Sequence, residues 1–184
     1  MLLIKAIDLK PRHVFGHQIR GAILCSMGQT GEAIQAFRNA YRLSRDVLTY
    51  ESLVHCYISL EKTAEAVATA KEALSLFSNS PRAISLAGFV MANMPGQHAK
   101  AEDYLLKALK LDKTCMEAVY ILAQLYAKTE RAELGIHLLE SHLPTEHSER
   151  IHITLGNMYL SEQDFKKAIQ HFSSALWYNL TDIA

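Results

Sequence analysis

The sequence has little of what catalytic sites are built from. It contains no CxxC or HExxH pattern, and its closest pair of glycines, in MGQTGEA, has no lysine beside it to cradle a phosphate. A nucleophile needs a base and an orienting group nearby, yet no local signature surrounds Cys25, Cys56 or Cys115. We therefore expect a protein that is not an enzyme and that needs no cofactor.

Metal ligands are poorly placed as well, although the chain has 9 histidines. His13 and His17 have the i, i+4 spacing of helical ligands, but no carboxylate or cysteine lies near them in sequence. Another series recurs every five residues, a spacing that runs around a helix instead of along one face: His137, His142, His147 and His152. We interpret His13 and His17 as surface histidines and expect no metal site.

Excess charge and long apolar runs are missing too. The 19 basic and 19 acidic residues cancel, which argues against nucleic acid and anionic membranes as partners. No apolar run approaches the roughly 20 residues that span a bilayer. Three cysteines without a CxxC pair favour reduced, mostly buried thiols in a protein of the cytoplasm or nucleus.

What the sequence does have is a period of about 34 residues, carried by three series of mostly small residues. With only 8 glycines and 4 prolines, the composition suits a helix-rich repeat protein. The series are Ala33, Ala66, Ala101, Gly135 and Ala168; then Ala6, Ala40, Ala73, Ala108, His142 and Ala175; and then Gly21, Val54, Gly88, Ala123 and Gly156.

This period and these small residues resemble the tetratricopeptide repeat, in which paired antiparallel helices pack against the next pair. Only small side chains fit where two helix backbones cross closely. We therefore interpret the series as packing positions. In the last repeat we expect Gly156 to face Ala168, Tyr159 and Phe172 to fill the space beside them, and Ala175 to receive a following helix.

The predicted fold is all-α, a tetratricopeptide-repeat solenoid of about five helix-turn-helix repeats in a right-handed superhelix over residues 1–184. Residues 1–13 match the end of a preceding repeat, so we expect a fragment of a longer array. We expect a longer turn at Pro95–Gly96, and an early end to the helix that holds His142. The repeats are predicted at about 14–46, 47–80, 81–115, 116–148 and 149–182. The helices are predicted at 13–28, 30–45, 47–60, 63–77, 81–94, 98–111, 115–128, 131–143, 148–161 and 164–178.

First helices line the concave wall of such an array. Carrying the groove positions over to this chain predicts a protein-binding surface of mixed aromatic, amide and hydroxyl groups. Such a surface suits an extended peptide or a partner helix, with Phe89 and Tyr120 as its aromatic anchors. The predicted groove residues are Gln18, Ala22, Glu51, His55, Ser85, Phe89, Tyr120, Gln124, Ile153 and Asn157.

A narrower resemblance is to the C-terminal half of a tetratricopeptide subunit of the anaphase-promoting complex (cyclosome). It is carried by GQTGEAIQAFRNAYRLSRD, YESLVHCYISL, AKAEDYLLKALKLDKTCMEAV, AELGIHLLESHLP and LGNMYLSEQDFKKAIQHFSSALWYN. The resemblance implies a non-catalytic scaffold in a ubiquitin ligase of mitosis and cell division. It also implies a location in the nucleus and cytoplasm. Its implied partners are other tetratricopeptide subunits and coactivator tails. Dimerisation is not carried over from the resemblance, and self-association through repeat edges is a separate expectation.

Two other classes of protein remain as alternatives. A co-chaperone module would hold the acidic tail of a chaperone with a clamp of lysine, asparagine and arginine. The corresponding positions here are Gln18 and Ala22, then Ser52, then Arg82 and Leu86, which do not form that clamp. The regulatory repeat domain of a larger enzyme is the second alternative.

Overall fold

The fold is entirely helical in the part of the chain that the structure describes. A computed structural model describes residues 13–143 and 149–181, with side chains up to residue 178. These ranges contain ten helices and no strand, which confirms the predicted fold class. The helices are α1 (Val14–Ser26), α2 (Thr30–Leu43), α3 (Val47–Ser59), α4 (Thr63–Leu76), α5 (Pro81–Ala92), α6 (His98–Leu111), α7 (Met116–Lys128), α8 (Ala132–His142), α9 (Glu149–Ser161) and α10 (Phe165–Thr181).

The helix ends lie close to the predicted ones. Each helix begins within one residue of its predicted start and ends within three residues of its predicted end. Helix α8 has 11 residues where α2, α4 and α6 each have 14, so the helix that holds His142 does end early. The predicted end of a preceding repeat and the junction at Pro144 lie outside the described residues.

Contacts divide the chain into two compact units, Met1–Tyr104 and Leu105–Ala184. The first unit contains α1 to α5 and the second contains α7 to α10, while the division falls inside α6.

Side chains cap the first helices of the first three repeats. The Asp46 carboxylate accepts a 2.9 Å hydrogen bond from the Thr49 amide, and the Ser80 hydroxyl accepts one from the Ala83 amide. The His13 ring does the same for Gly16. Each cap satisfies an amide that has no partner within its own helix, which explains why the helices start at these residues.

The turn inside each repeat contains one residue with a left-handed backbone. The φ angles are 75° at Gly28, 56° at Glu61, 73° at Gly96, 59° at Glu130 and 61° at Gln163. In four turns the amide of the following residue donates to a carbonyl five residues earlier, which is the Schellman ending of a helix. The four pairs are Gln29–Leu24, Lys62–Tyr57, Arg131–Tyr126 and Asp164–Tyr159.

The third turn is the exception, as its extra residue predicts. It extends over five residues between α5 and α6, where each of the other turns within a repeat has three. The amide of Gln97 donates to the carbonyl of Met94 at 3.2 Å. The inserted Pro95–Gly96 pair therefore changes how the turn is closed, while Gly96 keeps the left-handed backbone.

The small residues of the three series that fall within the described ranges lie in the interior. A Cβ added to Gly21 would come within 2.6 Å of the Phe37 ring, and one added to Gly156 within 2.6 Å of the Phe172 ring. The two glycines therefore leave room for phenylalanine rings from the paired helix, as expected for Phe172 beside Gly156. The buried members are Gly21, Ala33, Ala40, Val54, Ala66, Ala73, Gly88, Ala101, Ala108, Ala123, Gly135, Gly156, Ala168 and Ala175.

Polar contacts between neighbouring repeats recur at fixed separations in the chain. Equivalent helices of neighbouring repeats are joined by pairs of residues that are 31 positions apart, three fewer than the period of about 34. Each residue therefore contacts a side chain that lies almost one helical turn before the equivalent position in the next repeat. The 31-residue pairs are Gln18–Thr49, Cys25–Cys56, Tyr41–Glu72 and Glu51–Arg82. Pairs 19 residues apart join a second helix to the following first helix: Arg38–Tyr57 and Glu140–Tyr159.

Candidate protein-binding site

In the first unit, two of the predicted groove residues are held by neighbouring first helices. The Gln18 amide donates to the Asp46 carboxylate at 3.1 Å and to the Thr49 hydroxyl at 2.9 Å. The Glu51 carboxylate accepts two hydrogen bonds from the Arg82 guanidinium, at 2.7 and 3.0 Å. These groups join α1 to α3 and α3 to α5, so they fix the spacing of the surface as well as contributing to it.

His55 is an exposed residue of this surface. Its ring lies 4.4 Å from the ring of Phe89 on α5, tilted by 41°. His55 also lines an open cavity of about 410 Å³ between α1 and α3. The other residues that line this cavity are Ala22, Cys25, Thr30, Phe37, Ser52, Cys56 and Ser59.

The prediction that Ser85 and Tyr120 face an open groove is wrong. Ser85 is only 1% exposed, and its hydroxyl donates to the Arg82 carbonyl of its own helix at 2.8 Å. Tyr120 is 4% exposed, and the Arg150 guanidinium lies 4.1 Å from the centre of its ring. Of the two predicted aromatic anchors, Phe89 is the more accessible, because its ring is half-buried beside His55.

The second unit presents amide groups instead of a ring. Gln124 of α7 and Asn157 of α9 are exposed and line one shallow cavity of about 290 Å³, together with Thr154. Ile153 is exposed nearby on α9. Side-chain amides both donate and accept, so this arrangement can bond the backbone of an extended peptide beside an apolar contact.

The histidines are distributed differently from the prediction. His13 caps α1, but His17 is only 6% exposed, because it shares one helix face with the buried Gly21 and Leu24. The expectation that His17 lies on the surface is therefore wrong. Within residues 13–143 and 149–181, no group of three histidine, cysteine or acidic side chains is arranged to hold a metal ion.

His152 pairs with a histidine that the five-residue series does not include. Its Nδ1 atom lies 3.0 Å from Nδ1 of His171, a hydrogen bond for which one of the two nitrogens must carry a proton. His171 stacks on the Tyr159 ring at 5.5 Å, and burial lowers the pKa of His171. Nothing in the sequence near His152 predicts this contact, because the partner lies on the next helix.

Sequence reasoning also missed the proximity of Cys25 and Cys56. Their Sγ atoms lie 3.4 Å apart at the cavity beside His55. The separation of 31 residues is the available signal, since Gln18–Thr49 shares it.

Comparison with known proteins agrees with this architecture. The tetratricopeptide-repeat family profile matches residues 48–80. A crystal structure of TTC0263, a tetratricopeptide-repeat protein of Thermus thermophilus, aligns with a TM-score of 0.79 and 16% identity over 93% of this chain and 94% of its own. That likeness shows an all-α repeat solenoid. No helix within the described ranges has the length and apolar character needed to cross a membrane.

This chain matches part of the longer sequences of two curated relatives. Anaphase-promoting complex subunit 7 of Dictyostelium discoideum is 31% identical over 175 residues, which is 95% of this chain and 30% of that protein. The subunit of the same name from Arabidopsis thaliana is 31% identical over 95% of this chain and 31% of its own length. The chain thus spans less than a third of each relative. It matches the tetratricopeptide-repeat family over residues 48–80 and is similar along nearly all of its length to part of anaphase-promoting complex subunit 7.

Proposed function

We propose that the chain is a scaffold of the anaphase-promoting complex, which binds other tetratricopeptide subunits and coactivator tails in the nucleus and cytoplasm. The observation that carries the proposal is the similarity to subunit 7 over 95% of the chain. The surface of the first helices supports it, because a half-buried aromatic ring and exposed amides suit peptide capture. On this reading the chain contributes to cell-cycle control by positioning proteins, and it catalyses nothing itself.

Phe89 and His55 carry the peptide contact in this proposal. A ring at the centre of a surface, packed against a second ring, removes much apolar area from water when a partner covers it. Gln124 and Asn157 supply backbone hydrogen bonds in the second unit. Each unit has its own recognition elements, so a test can address them separately.

The helix edges supply a second kind of contact. On α10 the side chains of Phe165, Ile169, Leu176 and Trp177 are exposed, and three of them (Phe165, Ile169 and Leu176) lie on one face of the helix. Exposed apolar area of this kind marks protein interaction surfaces. We propose that it packs against another tetratricopeptide subunit or against a second copy of the chain.

The test is a titration of the chain with a fluorescent coactivator-tail peptide from the ligase. Phe89→Ala should weaken binding by roughly 5- to 150-fold, equivalent to 1–3 kcal/mol, with an unchanged helical signal. His55→Ala should weaken it less, and His137→Ala, an exposed histidine on the second helix α8, is the matched control.

The competing functions have distinct outcomes in the same experiment. A co-chaperone module would bind an acidic chaperone-tail peptide, and salt would weaken that binding. The pairing of Arg82 with Glu51 argues against it, since a clamp needs that guanidinium for the ligand. If Ile169→Glu abolished capture of neighbouring ligase subunits while Phe89→Ala did not, the edges would carry binding and the groove would not.

A further inference from the structure

Two thiols from successive repeats meet at the cavity beside His55. Cys25 lies on α1 and Cys56 on α3, and their Sγ atoms are 3.4 Å apart. Both are free cysteines in this structure. A disulfide has an S–S length of about 2.05 Å, so the two atoms need to approach by about 1.4 Å. Cys25 is exposed, so its side chain has room to rotate toward its neighbour.

The two thiols differ in their access to solvent. Cys25 is exposed, whereas Cys56 is only 2% exposed. Both line the open cavity of about 410 Å³, so a small reagent that enters it reaches Cys25 first. The accessible thiol of Cys25 is therefore suited to react first, and the sheltered thiol of Cys56 is suited to react second.

We propose that Cys25 and Cys56 are a modification site, at which a low-molecular-weight disulfide such as glutathione disulfide converts the two thiols into one reversible disulfide. In the first step the Cys25 thiolate attacks a sulfur of glutathione disulfide. A mixed disulfide forms on Cys25, and one glutathione thiolate leaves. In the second step Cys56 attacks Sγ of Cys25, its proton passes to solvent, and the second glutathione thiolate leaves. Both protein thiols are oxidised, and glutathione disulfide is reduced to two glutathione molecules.

The chemistry of Cys56 supports this order. Burial, together with the hydrogen bond to Cys25, raises the pKa of the Cys56 thiol to about 12. Only thiolates attack disulfides, so Cys56 is a poor first nucleophile at neutral pH. Its proximity to Cys25 compensates in the second step, because an attack within one molecule gains from the high local concentration of the thiol.

The product would tie α1 to α3 and so link the first two repeats covalently. It would also place a rigid bridge in the cavity wall that His55 and Ser52 share. Closing the 31-residue separation restricts the unfolded chain, so oxidation should raise the urea midpoint of the first unit.

The experiment treats the reduced full chain with glutathione disulfide and follows its intact mass. Wild-type protein should lose the mass of two hydrogen atoms, and trypsin should release peptide 21–38 joined to peptide 46–62 until a reductant is added. Cys56→Ser should instead accumulate one glutathione on Cys25, and Cys25→Ser should stay largely unmodified. Cys115→Ser, which removes a buried thiol of the second unit, should behave like the wild type.

Two further measurements keep the outcome unambiguous. Cys56→Ala repeats the result without a hydroxyl in a buried position, and circular dichroism verifies that every variant is folded. The proposal is overturned if folded wild-type protein accumulates the Cys25 adduct as Cys56→Ser does. It is equally overturned if the bridge forms through Cys115 or between two chains.

Discussion

The phenol of Tyr159 donates a 2.5 Å hydrogen bond to the carboxylate of Glu140, nineteen residues earlier in the chain. In the first unit, Tyr57 occupies the same repeat position and instead accepts from the Arg38 guanidinium at 3.0 and 3.2 Å. A phenol can donate or accept, so this position keeps a tyrosine while its partner changes charge. The tyrosine links the second helix of one repeat to the first helix of the next.

Tyr159→Phe should therefore lower the free energy of unfolding by about 1 kcal/mol, because it removes one hydrogen bond at a largely buried site. Glu140→Gln keeps an acceptor oxygen and should cost less than Glu140→Ala. Urea denaturation of the three variants checks this. An unchanged midpoint for Tyr159→Phe would mean that water replaces the bond without loss.

Substitutions at equivalent left-handed residues of the turns should change stability in opposite directions. Gly28→Ala should destabilise by about 1 kcal/mol, since a Cβ at Gly28 meets no atom within 4 Å and the backbone angle alone opposes it. Glu130→Gly should stabilise the folded chain by roughly 0.5 kcal/mol, because glycine adopts the left-handed backbone without strain. The gain is small because glycine also makes the unfolded chain more flexible. Thermal melts of both variants give the two signs, and equal signs would contradict the assignment.

Small residues of the packing series should resist enlargement. Ala168→Leu should cost of order 1–3 kcal/mol, because Ala168 is only 2% exposed and the added atoms have no space. Gln170→Leu, at an exposed position of the same helix, should change stability by less than about 0.5 kcal/mol. If chemical denaturation ranks the two substitutions alike, Ala168 is not a close-packing position.

His171 should make stability depend on pH in mildly acid solution. Burial lowers its folded pKa below the ordinary 6.5, against the opposing effect of Glu140 and with some help from Lys167. Below pH 6.5 the unfolded chain then binds this proton more readily than the folded chain. The free energy of unfolding falls as the pH drops from 6.5 towards the folded pKa, and the loss stops growing below it.

His171→Asn should reduce this pH dependence, measured by urea denaturation from neutral to mildly acid pH. His137→Asn, at an exposed position of α8, serves as the control and should leave the slope as it is in the wild type. Identical slopes for the wild type and His171→Asn would show that the proton is taken up elsewhere.

The helices could be predicted from the sequence because every repeat packs its two helices through the same set of positions. Small residues such as Gly21 and Ala33 recur wherever two helices cross, so their spacing gives the register directly. The candidate site follows less directly. Position in the repeat places a residue on a helix face, but Arg150 covers Tyr120 and the hydroxyl of Ser85 turns back on its own helix. Both outcomes depend on the contacts of individual side chains, which no periodicity specifies.

The polar links at separations of 19 and 31 residues also bear on how fast such a chain folds. The entropy lost in closing a loop grows with the logarithm of its length, so each of these contacts costs about the same wherever it lies along the array. Adding repeats would lengthen the protein without lengthening any of these loops, so the relative contact order would fall. Folding can then begin at any helix pair and spread to its neighbours, at a rate set by local closure and not by the size of the chain.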